Sequence, residues 1–179
     1  VLSKVKVDGR ITLSGYEGSE LLVARLLKEC GADVRYVGTA CPKTPYSEAD
    51  RDWLESRGVH VQYRASLEQD IAAMNEFDPD LAVGTTPVVQ AAKEQSRPAL
   101  YFTNLISARP LMGAPGPAAL SAVVNAAIAQ KPRFDEMDAF FEGVGKGDTA
   151  GIWRDTPPPP PKPRRPRPAP KKDVAESIV

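Results

Sequence analysis

The feature that most constrains the fold of this chain is a regular alternation of short β-rich runs with helical segments through the first 131 residues. Five runs predict strands, at residues 10–15, 33–38, 59–64, 81–85 and 99–103. Their apolar character is typical of strands that are buried on both faces. The alternation therefore predicts an α/β fold: a Rossmann-like parallel sheet of about five strands with helices on both faces.

Signals for helices follow the predicted strands. Residues typical of a helix start stand after four of them: Ser19, Ser47, Ser66 and Pro87. Gln69 completes a capping-box pattern with Ser66. Helices are predicted after these signals, including 20–30 and 48–57, and two more after the last strand, at 117–130 and 132–145.

A parallel sheet with right-handed crossovers brings the carboxyl ends of its strands to one edge, where α/β proteins bind ligands. Polar side chains fall at this edge, at strand ends or in the loop 104–116: Thr85, Thr86, Thr103, Asn104 and Arg109. Apolar side chains expected to line the mouth inside this rim are Tyr16, Leu105, Ile106, Leu111 and Met112. Such a site suits a large, flat, mostly apolar ligand with a few carboxylate or carbonyl groups. Helix capping is the alternative role for the threonines and Asn104.

Other chemistries find less support in the residues. The run GYEGSE after the first strand is not a glycine-rich phosphate loop, and Glu17 would place an anion beside any phosphate. Cys41 has only Cys30 as a fellow cysteine, and His60 is the only histidine. Neither a four-ligand iron–sulfur cluster nor a catalytic triad can be assembled from this set. The sequence predicts no metal site within the chain.

The last part of the chain differs in composition from the rest. Formal charges cancel over the whole sequence, but residues 156–172 carry six basic residues, many prolines and no acid. We predict a folded domain over residues 1–144 and a flexible Pro/Lys/Arg-rich tail over residues 145–179. A solvated linker is the simplest role for the tail; an acidic partner, an anionic membrane surface or weak nucleic-acid binding are alternatives. No run is long and apolar enough to predict a transmembrane segment.

Four long segments carry a resemblance to a known family: GRITLSGYEGSELLVARLL, YVGTACPKTPYSEADRDWLESRGVHVQ, PDLAVGTTPVVQAAKE and PALYFTNLISARPLMG. They resemble the C-terminal part of the Y subunits of chlorophyllide a reductases, within the nitrogenase component 1-like oxidoreductases. The resemblance runs from about residue 5 to residue 156. It implies a part of a longer subunit, and a start at Val1 without methionine agrees with a fragment or a processed chain.

The resemblance implies an enzyme complex of bacteriochlorophyll synthesis that reduces the C7=C8 bond of ring B of chlorophyllide a. The implied partners are the Z subunit, which completes a heterotetrameric catalytic component, and the X subunit, an ATP-dependent reductase that carries ATP and magnesium. The complex would hold a 4Fe-4S cluster whose ligands lie outside this chain. The implied location is the cytoplasm, with the periphery of photosynthetic membranes as an alternative. No nucleic-acid partner is implied.

Roles for individual residues follow from the same resemblance. The domain would line the substrate cavity and the subunit interface. Arg109 is the candidate donor to the substrate propionate, because a guanidinium can hold a carboxylate through two hydrogen bonds. Thr103 and Asn104 would position ring substituents, beside Tyr16, Thr85 and Thr86. Glu17 is the acid that we nominate for proton delivery.

Two other classes of function stay open from the sequence. The domain could be a non-catalytic scaffold, in which the polar rim consists of ordinary helix caps. It could also be an autonomous small-ligand-binding domain for a sugar or a nucleotide, although the lack of a glycine-rich phosphate loop counts against the nucleotide.

Overall fold

The computed structural model of the chain describes residues 6–107, 113 and 115–141. Among these residues, five strands form one sheet: β1 (Arg10–Gly15), β2 (Asp33–Thr39), β3 (His60–Tyr63), β4 (Leu81–Gly84) and β5 (Ala99–Tyr101). Their order is β3-β2-β1-β4-β5, and every neighbouring pair is parallel. The predicted α/β fold with a five-stranded parallel sheet is confirmed.

Helices follow each strand, with two more at the end of the described chain: α1 (Glu20–Glu29), α2 (Pro45–Glu55), α3 (Leu67–Phe77), α4 (Thr86–Glu94), α5 (Phe102–Ser107), α6 (Gly116–Ile128) and α7 (Lys131–Phe141). Within the ranges that the structure describes, no helix has the length and apolar character needed to cross a membrane. The predicted tail over residues 145–179 lies outside the described residues.

In the described part of the chain, two apolar cores cover the two faces of the sheet. The larger core joins β1 and β2 to α1, α2, α5 and α6, through fully buried side chains such as Leu13, Leu27 and Leu54. The smaller core joins β4 to α3 and α4 through Met74, Ala82, Val88 and Ala92. Helices α1 to α6 bury apolar side chains in these cores, whereas none of the described side chains of α7 is buried. The loops at the strand ends remain accessible in this layered fold.

The helix starts were predicted unevenly. α3 begins after Ser66 with the predicted capping box: the Gln69 side chain accepts from the Ser66 amide at 2.9 Å, and the Ser66 hydroxyl accepts from the Gln69 amide at 3.3 Å. α2 instead begins at Pro45, so the prediction of Ser47 as its first cap was wrong. A proline is favourable in the first helical turn, and Ser47 lies in that turn.

The last strand is shorter than predicted. β5 ends at Tyr101, and residues 102–107 form α5, so Thr103 and Asn104 lie on a short helix instead of at a strand end. The reason is the spacing of apolar residues: Phe102 and Leu105 are three apart and both are buried against the larger core. That spacing is helical, whereas a continuing strand would have turned alternate side chains away from the core.

The strand order reverses beside β1. The chain proceeds outward from β1 to β2 and β3, then crosses back to β4 on the other side of β1. The loops that follow β1 and β4 therefore leave the sheet in opposite directions. A reversal of this kind at the carboxyl ends of parallel strands is where α/β folds bind their ligands.

Candidate functional site

Five predicted site residues follow strands whose register brings their ends together. Leu13 of β1 pairs with Val83 of β4, and Gly84 of β4 pairs with Tyr101 of β5. The residues one to three positions beyond these strands therefore share one edge of the sheet: Tyr16, Thr85, Thr86, Thr103 and Asn104. Glu17 lies in the same loop as Tyr16. We refer to the loops that follow the carboxyl ends of the five strands as the carboxyl edge.

The exposure of these side chains suits contact with a ligand or a partner. The Tyr16 side chain is 58% exposed, although its ring is large and apolar. Glu17, Thr86 and Asn104 are also exposed, and Thr85 and Thr103 are half-buried. Thr85 occupies the position before α4, but its side chain makes no capping hydrogen bond. Helix capping therefore does not account for the Thr85 hydroxyl.

Two members of the predicted apolar mouth belong to the core instead. Leu105 is buried and Ile106 packs against the larger core. They were misplaced because the segment was predicted as a loop, whereas α5 turns both side chains inward. Three other predicted residues, Arg109, Leu111 and Met112, lie outside the described residues.

A buried carboxylate organises the loop between β1 and α1. Glu20 is 0% exposed. Its carboxylate accepts hydrogen bonds from the backbone amides of Glu17 at 2.6 Å and Gly18 at 2.9 Å. It also accepts from the Thr39 hydroxyl at 2.9 Å. Burial of a carboxylate is tolerated when both of its oxygens accept hydrogen bonds in this way, and the amino end of α1 adds a favourable dipole.

The same carboxylate links the first loop to the second. Thr39, at the end of β2, is 1% exposed; while donating to Glu20 it accepts from the Cys41 amide at 3.2 Å. The Cys41 thiol lies 3.6 Å from the Tyr16 carbonyl oxygen. A cavity of about 260 Å³ opens between these loops, lined by Gly18, Leu21, Thr39, Cys41, Pro42, Thr44, Ser47 and Tyr63.

This arrangement argues against a nucleotide at the first loop. In dinucleotide-binding folds, the amides after the first strand and the following helix start hold a phosphate. Here the amides of Glu17 and Gly18 donate to Glu20 of the same chain. A phosphate would have to displace a buried carboxylate of like charge, which is electrostatically unfavourable.

A second buried carboxylate lies on the opposite face of the sheet. Asp70 of α3 is 8% exposed and accepts from the Tyr36 hydroxyl at 2.8 Å. Burial, with a further contribution from the charge of Glu20, raises the pKa of Asp70 to about 6, against the lowering effect of the Tyr36 hydrogen bond. Gly38 makes room for this pair, because a methyl group there would overlap the Asp70 carboxylate.

Metal-binding groups do not converge in the part of the chain that the structure describes. No three side chains among histidine, cysteine, aspartate and glutamate come together there. Cys30 is buried in the larger core, and Cys41 is half-exposed at the carboxyl edge. His60 stacks on Tyr36, with 5.7 Å between ring centroids. These residues do not fit an iron–sulfur cluster, which takes four cysteine ligands in most proteins.

Sequence reasoning missed the buried polar residues Glu20, Thr39 and Asp70. A signal for Glu20 was present, since it precedes the buried Ala24 and Leu27 at spacings of four and seven. Asp70 likewise shares a helical face with the buried Ala73 and Met74. An acid in line with the apolar stripe of a helix indicates a buried, hydrogen-bonded carboxylate.

A protein-family model described as nitrogenase component 1 type oxidoreductase matches residues 5–128 of the chain. The chain is 70% identical over 151 residues to the chlorophyllide reductase 52.5 kDa chain of Rhodobacter capsulatus. It is 65% identical over 156 residues to the protein of the same description from Cereibacter sphaeroides. These alignments cover 84% and 87% of the chain but 30% and 31% of the relatives, so the chain spans about a third of their length.

A solved structure described as nitrogenase Cp1 at pH 6.5 shares the fold. Its alignment covers 85% of this chain and 33% of the other, with a TM-score of 0.55 and 17% sequence identity. At that identity the match supports the arrangement of strands and helices and says nothing about individual site residues.

Proposed function

Because the chain belongs to the nitrogenase component 1 type oxidoreductase family, we propose that it forms part of the catalytic component of a chlorophyllide reductase. The observation that carries the proposal is its 65–70% identity to two chlorophyllide reductase chains along most of its length. In this proposal the carboxyl edge forms one wall of the substrate cavity. The substrate is chlorophyllide a, and the product is the bacteriochlorin formed by reduction of the C7=C8 bond of ring B.

The accessible surface of the carboxyl edge matches the chemistry of such a substrate. A chlorin is large, flat and mostly apolar, with a few carbonyl groups and one free propionate. The exposed ring of Tyr16 offers apolar and edge contacts to a macrocycle, and Thr85 has a hydroxyl that is not used to cap α4. Thr86, Thr103 and Asn104 add hydrogen-bonding groups at the same edge of the sheet. We propose that these side chains position ring substituents.

Charged groups complete the proposed site. Arg109 lies two residues beyond the end of α5, and we propose that its guanidinium binds the propionate of the substrate. Reducing the C7=C8 bond adds two electrons and two protons. Glu17 is exposed in the β1–α1 loop, and we propose that its carboxyl group delivers one of the protons.

Electrons would reach the substrate from outside the described residues. We propose a 4Fe-4S cluster held elsewhere in the complex, because the described part of this chain offers no set of ligands for one. The proposed partners are a second catalytic subunit, Z, in a heterotetramer, and a reductase subunit, X, that hydrolyses magnesium-bound ATP. The proposed location is the cytoplasm, including the periphery of photosynthetic membranes.

The interface part of the proposal is supported by an apolar groove beside the edge strand β5. The groove has a volume of about 380 Å³ and is lined by Leu100, Ala122, Val123, Ala126 and Ala127. β5 pairs with β4 on one side, and the groove lies between β5 and α6. We propose that an apolar surface of the Z subunit packs here.

The experiment that tests the function is reconstitution of the complex from the full-length subunit that contains this chain, the Z subunit and the X subunit. With ATP, magnesium and an electron donor, chlorophyllide a should be converted to a bacteriochlorin, followed by the absorbance shift and by NMR of ring B. A mixture that lacks this subunit is the control. Reduction at a bond other than C7=C8, or no reduction by a fully assembled complex, would contradict the proposal.

A further inference from the structure

We infer that Glu20 is a positioning residue of the carboxyl edge, whose buried carboxylate holds the first two strand-end loops in the arrangement that presents Tyr16 and Glu17. As a statement about chlorophyllide binding, the inference rests on the proposed function. As a statement about the loops, it rests on the geometry of Glu20 alone.

The three donors to Glu20 come from loop or strand-end positions on two different connections. Two are backbone amides of residues 17 and 18, within the turn that displays Tyr16 and Glu17. The third is the hydroxyl of Thr39, which in turn accepts from the Cys41 amide. One carboxylate therefore fixes both the β1–α1 loop and the start of the β2–α2 loop.

The fold makes room for this carboxylate at the end of β1. A methyl group on Gly15 would lie 2.5 Å from a carboxylate oxygen of Glu20 and 3.0 Å from the ring of Phe102. Gly15 therefore allows Glu20 to approach the strand end, beside the first residue of α5. The carboxylate accepts from the two amides that follow the first strand, so the loop is organised before any ligand binds.

Asp70 provides a matched comparison within the same molecule. It is also a buried carboxylate near the carboxyl end of the sheet, but its side chain accepts from the Tyr36 hydroxyl on the opposite face. Removal of either carboxylate leaves buried donors without a partner and should lower stability. Only removal of Glu20 frees the loop that carries Tyr16 and Glu17.

The test compares Glu20→Ala with Asp70→Ala in the full-length subunit within the assembled complex. Chlorophyllide a is titrated by its absorbance change, at a temperature well below the unfolding midpoint of both variants. The atoms that Glu20→Ala removes are those of one acetate ion, so the titrations are repeated in sodium acetate and in sodium chloride of equal ionic strength. We expect Glu20→Ala to raise the dissociation constant about ten-fold, and acetate to restore most of the loss. Asp70→Ala should change neither the constant nor its response to acetate.

Equal dissociation constants for Glu20→Ala and the natural protein would overturn the inference, since a merely structural role moves the unfolding midpoint and not the binding. If Glu20→Ala fails to assemble, Glu20→Gln carries the test. Its amide keeps the volume but has one acceptor oxygen in place of two, so we expect a weaker loss of binding that acetate does not restore. Unchanged binding by an assembled Glu20→Gln complex would also overturn the inference.

A failure of the proposed function gives a different pattern. If the natural complex binds no chlorophyllide a, the proposed function is wrong. The role of Glu20 in holding the loops is then tested by the unfolding midpoints of the variants. Acetate should then raise the midpoint of Glu20→Ala but not that of Asp70→Ala or the natural protein. An acetate response that is the same in all three proteins would contradict the positioning role.

Discussion

At the scale of residues, Glu20 and Asp70 show how two buried carboxylates in one domain differ in their surroundings. Glu20 accepts from three donors at the amino end of α1. The Asp70 side chain accepts from the Tyr36 hydroxyl and feels the charge of Glu20. Burial raises the pKa of Asp70 to about 6 against the lowering effect of its hydrogen bond from Tyr36.

This difference predicts a pH-dependent stability. Asp70 has an ordinary pKa of 3.8, which burial raises to about 6 in the folded protein, so the folded state binds a proton more tightly than the unfolded chain. The contribution of Asp70 to stability must then fall as pH rises from about 4 to above 6. The shift corresponds to as much as about 3 kcal/mol.

The measurement compares urea unfolding of the natural chain and of Asp70→Asn between pH 4 and pH 7.5. The asparagine in the variant carries no charge at any pH in this range, so the other titrating groups cancel in the difference. We expect the natural chain to lose stability relative to the variant as the pH rises, with a plateau above about pH 7. A difference that is constant with pH would show that the Asp70 pKa is not raised.

The position or role of a residue could be predicted where its partners lie nearby in sequence, and not where they lie far away. The strand-end positions of Thr85 and Thr86 follow from local pattern, because a strand and a helix start are both visible around them. The role of Glu20 depends on Thr39, which is far away in sequence and adjacent only because β1 and β2 pair. Packing of this kind is not visible in local spacing.

At the scale of elements, α3 and α5 mark the limits of prediction from sequence. α3 has a local signal at its start, and the reciprocal Ser66–Gln69 bonds form as predicted. α5 has only six residues and continues directly from an apolar strand. Its buried residues are Phe102 and Leu105, and one pair at helical spacing is too short a pattern to distinguish a helix from a continuing strand.

The capping box of α3 gives a prediction at this scale. Ser66→Ala removes the hydroxyl that accepts from the Gln69 amide and should lower the free energy of unfolding by about 1 kcal/mol. Ser66→Asp is the matched control, because its carboxylate also caps and should keep most of the stability. Urea midpoints of the three proteins provide the measurement, and equal midpoints for Ser66→Ala and the natural chain would show that the cap contributes nothing.

At the scale of the whole molecule, the strand order brings together residues that are far apart in sequence, which a local sequence pattern cannot show. Residues from 16 to 104 in sequence come to one edge because all neighbouring strands are parallel and the order reverses at β1. The parallel arrangement was predictable from the alternation of strands and helices. The burial of the neighbouring apolar residues was not predictable in this way: Leu105 was expected to line the ligand site but is buried in the core.

The central claim is that the carboxyl edge forms a wall of the chlorophyllide cavity. It predicts different effects for the same substitution, asparagine to alanine, at two positions. Asn104 is exposed at this edge on α5. Asn75 is exposed near the end of α3, a helix that starts at the carboxyl edge after β3 and runs back toward the opposite edge. The two asparagines thus offer the same side chain at opposite ends of the sheet.

The most direct measurement is the dissociation constant of chlorophyllide a for the assembled complex with Asn104→Ala or with Asn75→Ala. Loss of one hydrogen bond to the substrate should raise the constant about five-fold for Asn104→Ala. Asn75→Ala should leave it unchanged. Equal constants for the two variants, with both complexes fully assembled, would contradict the claim that this edge contacts the substrate.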